Sequence, residues 1–275
     1  MKLSDLREQW SGKEQKLQFI EIVLFLSLTT LLFYILGTNM MLFGVFVYVG
    51  LAWLIYKTPN RKLCFITGIM GGMIGFFTEF WGCSNQIWNW TEPCITIWMI
   101  FGHKYGFPIE VVIAYFASGF WMSKVTLILF EPQLQETIEF FDNKEYNDTI
   151  TARVIVALII DAIGLTILII EPMYIQSMLL IMVGTNIFLT LPKNAMVIVA
   201  PFAVFMGAMG FFFENFATGI IPGFSVWVYD ISLYDNLNIP NPVIGVAPIS
   251  AFFAYMGTGF VLFSSSFVLN KFIRS

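Results

Sequence analysis

The sequence predicts an all-α integral membrane protein of about eight transmembrane helices arranged as two parallel four-helix repeats. Three observations carry that prediction. Of the 275 residues, 58% are hydrophobic and 12% charged, a balance far from that of a water-soluble domain. Apolar runs recur at about the 20 residues needed to cross a bilayer. Two blocks of sequence also occur twice in the same order. "GMIGFFTEF" at 72–80 returns as "GAMGFFFEN" at 207–215, and "PIEVVIAYFASGF" at 108–120 returns as "PISAFFAYMGTGF" at 248–260. Self-similarity of this kind is weighed before any single motif.

Taken in chain order, "MKLSDLREQWSGKEQK" carries mixed charges without an apolar core or a small-residue cleavage site, so it does not read as a removable signal. Spans are expected over 17–36, 38–56, 63–82, 107–130, 153–171, 173–191, 195–215 and 246–269. Eight spans place both termini on one side. Of the fourteen Lys and Arg residues, all but Lys104 and Lys124 fall on that side, which assigns the termini to the cytoplasm. Lys124 lies inside the fourth apolar run and Lys104 in an outer loop. Because each unit holds an even number of spans, both units enter the membrane from the same side and relate by an axis along its normal.

The division is 1–135 for the first repeat, 136–152 for a cytoplasmic linker and 153–275 for the second repeat. The linker carries Glu136, Glu139, Asp142, Glu145 and Asp148, and reads as a solvated segment with a short amphipathic helix on the surface. The net charge of −4 and its distribution give no sign of a nucleic-acid partner. The expected partners are membrane lipid or an isoprenoid substrate, and a homo-oligomer is left open.

The repeat locates the polar residues of interest. Gly72, Gly75 and Glu79 follow i, i+3, i+7 spacing and share a helix face, as do Gly207, Gly210 and Glu214. Small residues admit a neighbouring helix, so this face points into the bundle with its glutamate. The competing reading is a helix-end carboxylate reaching for water. An aromatic-x-aromatic pair follows each glutamate, Trp88 with Trp90 and Trp227 with Tyr229, in loops whose Trp, Tyr, Pro and Asn content also suits a membrane interface. Pro108 and Pro248 open the next helices. Glu110 follows the first proline where it would favour the helix dipole, whereas its counterpart is Ser250, an asymmetry that assigns chemistry to one half. Acids beside aromatic walls suit proton transfer, since low dielectric disfavours the ionised carboxylate and indole faces stabilise cations.

The segment "WNW" followed by "FGHKYGFPIEVVIAYF" resembles the small membrane-embedded lycopene cyclase domain of carotenoid pathways. Those domains carry an acid, a short aromatic segment and a Pro-x-Glu-Glu element leading into Phe-Phe. The chain is also similar to the carotenoid hydratase family, with its membrane glutamate, Tyr-x-Tyr stretch and later proline-led helix. The matching positions are Glu79, Trp88, Trp90, Pro108, Glu110, Tyr115 and Phe116, repeated at Glu214, Trp227, Tyr229, Pro248 and Tyr255. Val111 replaces the second acid of the doubled glutamate, and Ser250 the first in the other half. The resemblance implies redox-neutral cyclisation or hydration of a carotenoid, without a cofactor. It casts Glu110 as proton donor, Glu79 and Glu214 as acid or base partners, and Trp81, Trp88, Trp90, Tyr115, Trp227, Tyr229 and Tyr255 as the substrate wall.

Two other readings stand beside this one. In a proton-coupled transporter or lipid-binding protein, the acid that matters is Asp161, deep in the fifth span. In a membrane scaffold, the aromatic loops bind a partner and the glutamates serve packing. His103 stands without clustered ligands, so no metal site is expected. Cys83 and Cys94 share an outer loop, where spacing leaves a disulfide undecided.

Overall fold

The computed structural model describes residues 13–36, 39–58, 61–90, 95–101, 106–142, 144–218, 225–234, 237, 239 and 241–274. The chain is predominantly helical. Its helices are α1 (Lys13–Leu36), α2 (Met40–Lys57), α3 (Arg61–Ser84), α4 (Ile109–Leu129), α5 (Glu131–Asp142), α6 (Lys144–Ile170), α7 (Ile175–Leu189), α8 (Lys193–Ala217) and α9 (Ile249–Arg274). Among the described residues, six stretches are long and apolar enough to cross a membrane: α3, α4, Thr151–Ile170 of α6, Pro172–Leu189 around α7, α8, and Ile249–Ile273 of α9. This is the build of a multi-pass membrane protein. The apolar part of α2, Met40–Tyr56, is shorter.

Local chemistry sets the helix starts. Asn39 accepts the backbone N–H of Leu42 at 3.2 Å and caps α2. Pro108 and Pro192, both in extended conformation, stand at the N-caps of α4 and α8, where a residue without an N–H forfeits nothing. The acidic segment, expected to be solvated with a short amphipathic helix, is helical through most of its length. Its α5 buries Leu134 and Thr137 while exposing Glu136 and Glu139, and α6 begins ahead of the expected residue 153. Cations hold α5 down: Arg153 of α6 lies 5.2 Å from the Phe140 ring and Lys271 of α9 lies 5.3 Å from the Phe141 ring.

Among the described residues, three two-stranded antiparallel pieces join the helices. Strand β1 (Trp88–Trp90) pairs with β4 (Trp227–Tyr229), β2 (Met99–Ile100) with β3 (Phe107–Pro108), and β5 (Val243–Ile244) with β6 (Ala247–Pro248). The last hairpin turns through Gly245 at φ 73°, a region that favours glycine. The segment α3-β1-β2-β3-α4 thus has the same element order as α8-β4-β5-β6-α9.

Close packing orders the bundle. Helix α3 lies on α4, and both α7 and α8 lie on α9, which also touches α3 and α4. A Cβ at Gly75 would come 2.3 Å from the Tyr115 ring, and one at Gly210 would come 2.1 Å from the Tyr255 ring. These two positions therefore seat equivalent tyrosines. Gly72, expected on the same tight face, has its nearest neighbour at an ordinary 3.5 Å, whereas a Cβ at Gly71 would meet the Tyr115 carbonyl oxygen at 2.4 Å. Gly71 thus joins Gly75 on the contact face, and Gly72 lies at its edge against Phe116 of α4. Below the tyrosines, Ser123 donates to Thr67 at 2.7 Å and lies 2.7 Å from the Ser266 hydroxyl, joining α4 to α3 and α9.

Candidate functional site

The site begins with a chain reversal. After α3, Gln86 takes φ 56° and Ile87 N–H returns to Gly82 O at 2.8 Å. Strand β1 consequently folds back over the last turns of the helix. Trp88 and Trp90 are two residues apart and share a strand face, and both indoles donate to Glu79 Oε2 at 3.2 Å. In the second unit, Val226 N–H returns to Ala217 O at 2.8 Å. There Trp227 Nε1 donates to Glu214 Oε2 at 3.0 Å and the Tyr229 hydroxyl at 2.8 Å.

The two half-sites are joined by their own strands. In the β1–β4 register Trp88 opposes Tyr229, Asn89 opposes Val228 and Trp90 opposes Trp227. Opposed residues of an antiparallel pair share a face, so all four rings gather over both carboxylates. The Trp90 and Trp227 ring centroids are 5.0 Å apart, and those of Trp88 and Tyr229 are 5.8 Å apart.

Glu79 and Glu214 are buried, and they interact electrostatically. Their hydrogen-bond inventories differ. Glu214 accepts a third bond, from the Tyr255 hydroxyl to Oε1 at 2.7 Å, so both of its oxygens are engaged. Glu79 takes both indoles on Oε2, and its Oε1 has no hydrogen-bond partner among the described residues. Tyr115 is within electrostatic range of both acids and interacts with Tyr255.

These groups wall a cavity of about 270 Å³, at the lower edge of the roughly 300–1,000 Å³ usual for small-molecule sites. The aromatic residues expected as the substrate wall, Trp81, Trp88, Trp90, Tyr115, Trp227, Tyr229 and Tyr255, line it, whereas Trp98 of the same loop is exposed. Thr78, Trp121 and Gln176 also line it, and were not singled out from sequence. Gln176 of α7 donates to Thr78 at 3.2 Å. Thr78 carried the signal of adjacency to Glu79, whereas Gln176 carried none. Trp121 packs against both of the core clusters that lie on either side of it. Among the described residues the lining contains no Lys, Arg or His.

Glu110 lies elsewhere. It is fully buried but does not line the cavity. Its Oε1 accepts the Ile97 backbone N–H at 2.7 Å and its Oε2 accepts the Thr96 hydroxyl at 2.5 Å, while its stem packs on Gly44 of α2. The carboxylate therefore fastens the segment before β2 to the first turn of α4. Ser250 serves the same place in the other unit: Asn241 Nδ2 donates to its hydroxyl at 2.9 Å and its N–H donates to Asn241 Oδ1 at 3.0 Å. The Glu110–Ser250 asymmetry is thus an exchange of latch chemistry, an acceptor for backbone and hydroxyl in one unit and an amide–hydroxyl pair in the other.

Asp161 is also remote from the cavity. Asn186 Nδ2 donates to both of its oxygens, at 3.0 and 3.1 Å, pairing α6 with α7. Cys83 is a buried free thiol; Cys94, His103 and Lys104 lie outside the described residues. No family model, curated protein or solved structure matches the chain.

Proposed function

We propose that the chain is a membrane-embedded isoprenoid-modifying enzyme that cyclises or hydrates a polyene by proton transfer from the Glu79–Glu214 pair. The observation that carries this reading is the meeting of two buried carboxyl groups, one from each unit, in one aromatic-walled cavity. Their unequal hydrogen bonding divides the work. Glu79 is the donor, through the oxygen that has no hydrogen-bond partner among the described residues, and Glu214, engaged by Trp227, Tyr229 and Tyr255, supplies fixed negative potential. Pairs of acids in unlike surroundings take unlike roles.

In the reaction, a carbon of the terminal double bond forms a C–H bond with the Glu79 proton, leaving positive charge on its neighbour. In cyclisation a second double bond attacks that carbon, and loss of a proton to a carboxylate restores an alkene of unchanged mass. In hydration, water attacks and loses its proton, and the product is heavier by one water. Neither course needs an oxidant or reductant. The rings over the carboxylates stabilise the intermediate by roughly 0.5–2 kcal/mol each where a face meets the charge.

In this proposal the chain crosses the membrane eight times, with α1 and α2 as the first two spans and both termini cytoplasmic. Its halves are parallel repeats about an axis passing near the β1–β4 pair. Proton-coupled transport through Asp161 has less support, because that acid is paired with Asn186 outside the cavity. The test is mass spectrometry of pigments and isoprenoid lipids from cells making acyclic carotenoids, with the wild-type chain or Glu79→Gln. A new species of equal mass, or one heavier by a water, that disappears with Glu79→Gln supports the reading. An unchanged profile with the protein present in the membrane defeats it for those substrates.

A further inference from the structure

Two carboxyl groups face one cavity whose described lining offers no positive charge. The hydrogen-bond donors on Glu79 and Glu214 are all neutral indoles and phenols. Buried acids of this kind are stable only when protonated or when a cation supplies the missing charge. Beneath them the cavity wall carries small side chains, Ala114 and Ala117 on α4 with Ala251 and Ala254 on α9, and the Ser118 and Thr258 hydroxyls beside them donate to the backbone of their own helices. From Val111 to Trp121, both in the lining, α4 rises about 15 Å. That length accepts about three extended isoprene units, at roughly 5 Å each for C–C bonds near 1.5 Å.

We propose that this cavity binds an alkylammonium ligand, with its charged head between Glu79 and Glu214 and its apolar chain along the alanine wall toward Trp121. Charge has to be the discriminating feature, because an apolar chain gains little by leaving lipid for an equally apolar protein wall. The inference deepens the proposed function, since the cation formed in that reaction would carry the same charge at the same place and a stable ammonium would imitate it. Binding is nevertheless measurable without turnover.

The experiment compares two compounds with the same three-unit chain, farnesyltrimethylammonium and farnesol, binding to the purified full chain in neutral detergent micelles. Tryptophan fluorescence is the readout, since Trp81, Trp88, Trp90, Trp121 and Trp227 line the cavity. The ammonium should bind at least about tenfold more tightly than the alcohol. The Glu79→Gln/Glu214→Gln double variant should reduce the preference to about twofold or less, and Asp161→Asn should retain it. If the double variant does not fold, Glu79→Gln alone, which keeps an acceptor for both indoles, should lower the preference by about threefold or more. Equal binding by wild type, or a preference that survives the carboxylate changes, overturns the proposal. A preference without any change in cellular pigments leaves the cation site standing and defeats the reaction, whereas altered pigments without a preference do the reverse.

Discussion

Replacing Glu110 separates a latch from a catalyst. Its two oxygens satisfy two donors, the Ile97 N–H and the Thr96 hydroxyl, and the residue is wholly buried. In Glu110→Ala both donors lose their acceptor. Ile97 is exposed, Thr96 is half-buried and the Thr96 hydroxyl also reaches the Trp98 carbonyl at 3.3 Å, so at about 0.5–1.5 kcal/mol for each hydrogen bond lost the cost is about 1–3 kcal/mol. Glu110→Gln keeps a carbonyl oxygen for the Ile97 N–H, and its amide can donate to the Thr96 oxygen, so its cost is about 1 kcal/mol. Unfolding in detergent should therefore rank wild type, then Glu110→Gln, then Glu110→Ala. In cells making acyclic carotenoids, Glu110→Gln should retain product formation within about threefold of wild type, a change corresponding to less than 1 kcal/mol. Product abolished by Glu110→Gln with the melting temperature unchanged would refute this reasoning and return the proton to Glu110.

Further outcomes test the site and its supports. Glu214→Gln should reduce turnover by about 100-fold or more, read as product per folded protein, because fixed electrostatic stabilisation of a developing charge is worth roughly that much. Gly75→Ala and Gly210→Ala should each lower folded yield, since the new methyl would fall within 2.3 and 2.1 Å of tyrosine ring atoms; Gly72→Ala should not, with its nearest neighbour at 3.5 Å. Asp161→Asn should change stability by no more than about 1–2 kcal/mol, the scale of one hydrogen-bonded polar pair, and should leave pigment products unchanged. An effect of Asp161→Asn on products would favour a proton path through α6.

The apolar runs made the helices legible, since length and composition alone mark a membrane-crossing segment. The repeated glutamate and aromatic-x-aromatic pair also pointed to the cavity, because a helix end followed by a strand brings residues close in sequence close in space. Long-range pairing was hidden. Nothing in "WNW" or "WVY" states that the two strands bond to each other, yet that register unites the half-sites. The surroundings of Glu110 were hidden for a related reason. Its partners are a backbone N–H and a loop hydroxyl, groups that leave no pattern, so a buried anchor and a proton donor look alike. Gly71 was missed because i, i+4 neighbours share a helix face as well as i, i+3 neighbours, and it is Gly71 with Gly75 that meets Tyr115 most tightly.

The antiparallel β1–β4 pair sets an order of events during synthesis. Glu79, Trp88 and Trp90 enter the membrane with the first unit, long before Trp227 and Tyr229 exist. Until the second unit docks, the first holds Glu79 beneath an unpaired strand edge. Such an edge is a liability that a nascent chain has to shield, and contacts between distant parts of a sequence are slow to form. A ribosome pausing between α5 and α8 would therefore prolong the exposure of that edge, and the two halves produced as separate chains should regain the cavity only when they meet in the same membrane.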